Sequence, residues 1–175
     1  MEFLFTKENH LKLIICIFDE NLKLMESTFN INKTSRNILL TFLENHSLEK
    51  LNTIPEGFSN NLIWNIGHIV VVQQMLVYKL SGLPMMVSDE MVEKYKKGAK
   101  PEHNVEQTEV DEIKTLLFAT LEQTKKDFSE NVFQNYDEFT TGLGFHLTSS
   151  KDAMEFNNFH EALHIGIMMQ IKKFI

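Results

Sequence analysis

His160 and His164 stand four residues apart near the end of this 175-residue chain. On an α-helix that spacing turns the second side chain by about 40° and lifts it one turn, so both imidazoles can reach a single ion. The pair alone carries little weight, because seven histidines placed at random give ~0.3 such pairs in a chain of this length. A third ring strengthens the argument. His68 falls on the apolar stripe of an earlier helix with Trp64, Val71, Val72 and Met75, while His160 and His164 share a side of the last helix with Phe156, Leu163, Ile167 and Ile171. Each polar ring buried without a partner costs on the order of 1–3 kcal/mol. One shared divalent cation would satisfy all three; the competing assignment for each is an ordinary core histidine bonded to a neighbour. Three neutral nitrogens leave a coordination position open for water or substrate, as in catalytic rather than closed structural sites. Gly67 and Gly166 flank ligand positions, where the absence of a side chain lets backbones approach at a cost of ~1 kcal/mol in helix propensity.

The remaining candidates are weaker. His160-Glu161-Ala162-Leu163-His164 also matches the zinc-protease signature, in which the glutamate is the general base. Such a protease places its third ligand downstream, and the eleven residues after His164 contain neither histidine nor acid. Glu161 is instead expected to be an outer carboxylate that orients a ligand imidazole, or a surface residue. His10, His46 and His103 lie in polar or terminal surroundings and are expected at the surface. His146, just before the last helix, either lines the site or sits on a loop surface. No unmistakable nucleophile or paired-carboxylate set accompanies them.

The rings need helices to hold them, and four long ones can be drawn. Ile38, Leu39, Phe42 and Leu43 make an apolar face from about Lys33 to Leu48. Ser59, Asn60 or Asn61 caps the second, which runs to Leu80 before Gly82 and Pro84. A short helix over Ser88 to Lys97 ends at Gly98. The third long helix, about Thr108 to Phe128, opens on a Thr108/Asp111 capping pair and carries Val110, Ile113, Leu117, Leu121 and Phe128. Residues 129–148 are a long crossover with brief extended pieces around Phe139 and Phe145. The last helix opens on Ser149 and Asp152. Residues 1–24 are expected to be a peripheral helix or an extension upstream of a true start at Met25, leaving 25–175 as one metal-binding domain.

Composition excludes several classes. Seventeen basic against twenty-four acidic side chains give a net charge of −7, which repels nucleic-acid phosphates and anionic membranes. Lys94, Lys96, Lys97 and Lys100 form the one basic cluster, with Tyr95 its lone aromatic, and such short runs are usually solvated loops. The apolar run Leu11–Phe18 contains Lys12 and falls short of the ~20 residues a membrane span needs. The single cysteine, Cys16, rules out an internal disulfide and suits a reducing compartment, so a cytoplasmic location is expected.

The stretches Ile54-Pro55-Glu56-Gly57-Phe58, Asn61-Leu62-Ile63-Trp64-Asn65-Ile66-Gly67-His68-Ile69 and Phe159-His160-Glu161-Ala162-Leu163-His164-Ile165-Gly166 occur in that order. In combination they resemble the DinB-like, or YfiT-like, metalloenzyme family over roughly residues 32–174. The resemblance implies an all-α four-helix bundle of up-down-down-up connectivity, with metal ligands at His68, His160 and His164. It also implies chemistry on a small-molecule substrate, either transfer of a low-molecular-weight thiol such as bacillithiol or mycothiol, or metal-dependent hydrolysis. Imidazole ligands suit zinc first and nickel next. The carboxylates of a thiol cofactor could meet Lys96 and Lys97, and exposed bundle faces would allow a homodimer. The alternative class is a non-enzymatic metal- or ligand-binding stress-response module.

Overall fold

A computed structural model describes the backbone of residues 7–175 and, from Met25 onward, the side chains as well. The expected peripheral helix or extension over residues 1–24 therefore lies outside the described side chains. The long helices are α1 (Lys7–Asn45), α3 (Leu62–Val77), α5 (Gln107–Ser129) and α6 (Ser150–Ile171), with the short α2 (Leu48–Asn52) and α4 (Asp89–Tyr95) between them. Each long helix packs chiefly against two others, α1 on α5 and α6, and α3 on α5 and α6, with a slighter contact between α1 and α3. Among the described residues no helix is long and apolar enough to cross a membrane.

The starts of these helices follow from capping chemistry. The side chains of Ser47, Asn61, Ser88 and Ser149 each accept a bond from a first-turn N–H, at α2, α3, α4 and α6 respectively, which satisfies donors that have no partner within the helix. The Thr108/Asp111 pair does not play this part. Helix α5 begins one residue earlier, with Glu106 in the cap position and no side-chain cap bond.

Helix α3 is the central element. Nearly every residue from Leu62 to Val77 is buried, Val72 and Met75 being the partial exceptions, so it is enclosed rather than amphipathic. It ends at Val77 instead of Leu80, and a 3-10 turn over Lys79–Ser81 leads into Gly82, whose φ of 69° is left-handed and suits glycine.

Helix α1 departs furthest from the sequence expectation. It begins well before Lys33 and buries Met25 and Phe29 in the same apolar cluster as Val77, Leu121, Met154 and Phe156. The buried positions described on this helix are Met25, Thr28, Phe29, Asn32, Ser35, Arg36, Leu39, Phe42 and Leu43, a face whose middle is polar. At its far end α1 stops at Asn45 rather than Leu48. The 129–148 crossover contains a two-residue hairpin, β1 (Phe139–Thr140) antiparallel to β2 (His146–Leu147), close to the expected extended pieces. Leu147 is buried beneath it, while Phe145 packs on Phe156 and Phe159 of α6.

Candidate metal centre

His68 of α3 and His160 and His164 of α6 come together. One candidate ligand nitrogen from each lies within 4.8 Å of the others, and the ring centroids are 4.6–5.2 Å apart. The rings are held from behind. Nδ1 of His68 donates to the carbonyl of Tyr95 at 2.6 Å, and Nδ1 of His164 donates to Oδ1 of Asn65 at 2.8 Å. The orientation of the Asn65 amide is fixed in turn, because its Nδ2 donates to the carbonyl of Asn61 and to Oδ1 of Asn60. These bonds set the tautomer of each ring and leave Nε2 as the free lone pair. Nδ1 of His160 is buried and has no partner within the described chain.

Burial keeps all three rings neutral. It pushes His160 down to about 3, helped by the neighbouring His164, His68 and the Arg36 guanidinium. His164 falls to about 4 for the same first reason, with His68 adding to it. Burial also lowers His68, against the opposing pull of the Tyr95 carbonyl. Neutral imidazole is the form that ligates a metal. Free nitrogens of like polarity gathered this closely, with no donor between them, are unfavourable unless a cation or a hydrogen-bond donor stands among them. The donor set, three imidazoles with no carboxylate, therefore fits one divalent ion and is compatible with zinc or nickel.

Aromatic packing walls the site. Trp64 stacks on His68 at 4.8 Å and 14°, and its Nε1 donates to the Lys94 carbonyl. Tyr95 is buried, and its hydroxyl donates to Glu109 Oε1 at 2.7 Å. A Cβ built on Gly67 would fall 2.5–2.8 Å from three carbons of the Tyr95 ring. Gly67 thus permits the close approach expected of it, to an aromatic ring rather than to backbone. Gly166 does not; it faces open space on the outside of α6.

The expectations for Glu161, Leu163 and Ile167 need correction too. Glu161 does not hold a ligand imidazole. It is fully buried, and its carboxylate takes bonds from Asn32, Arg36 and Asn157. Leu163 and Ile167 are 42% and 39% exposed, because the core face of α6 runs through Met154, Asn157, Glu161, Ile165 and Met168 and the histidines lie at its margin. His146 is on the surface, beside Glu138 and Thr140. His46 is half-buried against Phe42, whose carbonyl its Nδ1 meets, and His103 is exposed; His10 lies outside the described side chains. Lys96 pairs with Glu93, while Lys97 is exposed with its Nζ against Gly142 of the hairpin loop. Lys94 and Lys100, with Trp64, Tyr95, His103 and Glu109, line a cavity of about 600 Å³ that neither Lys96 nor Lys97 borders.

Arg36, Asn32, Asn65 and the Tyr95 carbonyl were not anticipated. Asn65, within the Trp64-Asn65-Ile66-Gly67-His68 stretch, was the only one whose position relative to a ligand gave a usable signal.

No curated protein matches the chain. The sequence model described as the DinB superfamily matches residues 32–168, a span that contains all three clustered histidines, Asn65, Tyr95 and the Arg36–Glu161 pair. The chain belongs to the DinB superfamily.

Proposed function

We propose that the chain binds one divalent metal ion through His68, His160 and His164 and uses it to transfer a low-molecular-weight thiol to an electrophilic small molecule. The observation that carries this reading is the convergence of three imidazole nitrogens within 4.8 Å, two of them held by bonds from the opposite ring nitrogen. When bound, such an ion lowers the pKa of a thiol, or of water in the hydrolytic variant, so that a nucleophile is available at neutral pH. The protein's own part is to hold the rings neutral and oriented, through Tyr95 and Asn65, and to wall the site with Trp64 and Phe156. Lys97 stands over the hairpin whose Phe145 packs on Phe156, the neighbour of His160. We assign Lys97, with Lys96, to the carboxylates of the thiol. Charge-removing substitutions at both that leave thiol KM unchanged would end that assignment.

The setting we propose is the up-down-down-up four-helix bundle implied for residues 25–175. It is supported by the mutual packing of α1, α5, α3 and α6 and by the long connections before α5 and α6. Elemental analysis of purified protein tests the centre: about one equivalent of zinc or nickel is expected, and its loss in His68→Ala and His164→Ala. Metal-loaded protein is then offered thiols with an epoxide or halogenated probe. Thiol-dependent product supports the transferase, turnover of ester or amide probes without thiol moves the assignment to a hydrolase, and stoichiometric metal with neither leaves a binding module.

A further inference from the structure

The three candidate ligands are not held alike. His68 and His164 each donate Nδ1–H to a fixed acceptor, whereas Nδ1 of His160 has no partner within the described chain. A ring without that bond is located by what packs on it, here His164 at 4.6 Å, His68 at 5.2 Å and Phe156 at 6.1 Å, and by the backbone that carries it. That backbone is pinned at the next residue. Oε1 of Glu161 accepts from Asn32 Nδ2 at 2.9 Å, Arg36 Nε at 3.0 Å and Asn157 Nδ2 at 2.8 Å, and Arg36 Nη2 stands 2.8 Å from it as an ion-pair contact without hydrogen-bond alignment. Asn158 adds two more ties to α1, accepting from Asn32 at 3.2 Å and donating to the Thr28 carbonyl at 3.0 Å. The turn of α6 around His160 is thereby fixed to α1 in both rotation and height.

Adhesion between the helices is a poor explanation for this arrangement. Arg36 and Glu161 are both fully buried, and a buried ion pair generally stabilises no more than apolar side chains of the same volume. The same cluster leaves Asn32 Oδ1, both Arg36 Nη1 and Nη2, Asn157 Oδ1 and Glu161 Oε2 buried without a hydrogen-bond partner, which is costly in a contact whose only task is cohesion. What the pair offers that leucines would not is direction, since several bonds converge on one oxygen and permit a single phase of α6.

We infer that Arg36 and Glu161 are positioning residues for His160, clamping the turn that carries this ring in place of the hydrogen bond that orients the other two. The inference rests on the reading of the three histidines as a metal centre. It is tested with Co(II), in Arg36→Met/Glu161→Gln, which removes both charges together, and with the same pair of substitutions in a His160→Ala background. Apo-protein circular dichroism and urea unfolding report the fold, while Co(II) titration and the visible d–d band report the site. In the paired variant the expected result is cooperative unfolding, an affinity at least tenfold weaker, and a d–d band displaced toward that of His160→Ala. In the His160→Ala background the same substitutions should change the residual affinity less than twofold. An unchanged affinity and band in the folded pair overturns the inference and leaves the metal centre standing, as does an equal loss in both backgrounds. Should the pair fail to fold, Asn32→Ser removes one bond to Glu161 with the charges still paired; an unmoved band in that variant overturns the inference. Wild-type protein that takes up no Co(II) overturns the metal centre and the inference together.

Discussion

Replacing Gly67 by alanine sets two well-measured effects against each other. In the interior of a helix the change ordinarily stabilises by ~1 kcal/mol, because alanine is the better helix former. Here the added methyl would fall 2.5–2.8 Å from Cε1, Cδ1 and Cζ of Tyr95, so the ring would have to retreat by about 1 Å to reach ordinary van der Waals separation. Tyr95 is only 2% exposed, with its hydroxyl on Glu109 and its carbonyl on His68. Overpacking of this kind costs about 1–3 kcal/mol, and a weakened hydroxyl–carboxylate bond adds about 1 kcal/mol more. After the helix gain is subtracted, the net destabilisation is about 1–3 kcal/mol, with Tm falling by about 2–4 °C for each kcal/mol at this chain length. Displacing Tyr95 also moves the acceptor of His68, so metal affinity should drop by about tenfold or more. Gly166→Ala is the internal control: it points into open space and should keep its helix gain of up to ~1 kcal/mol with metal affinity unaltered. Thermal unfolding and a chelator-competition titration measure both quantities. A Gly67→Ala protein as stable as its parent, with full metal affinity, would show that the packing of Tyr95 on α3 does not brace His68.

Asn65→Ala removes the acceptor for Nδ1 of His164 and should lower metal affinity by about 10–100-fold, the usual cost of losing an outer partner of a ligand; chelator competition with Asn60→Ala as a comparison reads it, and equal affinities would count against the role of Asn65. Acid should destabilise the metal-free protein. His164 and His160 are depressed in the folded state to about 4 and about 3 from the ordinary 6.5 of the unfolded chain. The unfolded chain therefore binds more protons below about pH 6.5, and the stability fully present above that pH is lost progressively as pH falls toward the folded values. Urea midpoints measured from pH 7.5 to pH 4 should decline, and less steeply in His160→Ala; identical slopes in the two proteins would contradict the burial of that ring.

The sequence on its own determined whatever depends on neighbours along the chain. Helical period and capping residues placed α3, α4 and α6 to within a few residues, and the same spacing put His160 and His164 one turn apart. Gly142 and Gly144, in a segment without a sustained helical period, marked the crossover that carries the hairpin. The apolar setting of His68, joined to the resemblance, paired it with the later two. The early part of α1 escaped notice because its buried face contains Thr28, Asn32, Ser35 and Arg36, and a periodicity test built on apolar residues reads such a polar stretch as its end. Nothing local says that Arg36 belongs inside, since its partner is 125 positions away and a guanidinium is tolerated in a core only where a carboxylate meets it. Tertiary structure alone also decided that Leu163 and Ile167 face outward, because α6 turns toward α1 the side that carries Glu161. It placed the Tyr95 carbonyl behind His68 for the same reason: helix packing across the bundle sets which faces meet, and local spacing cannot register a contact between distant stretches of chain.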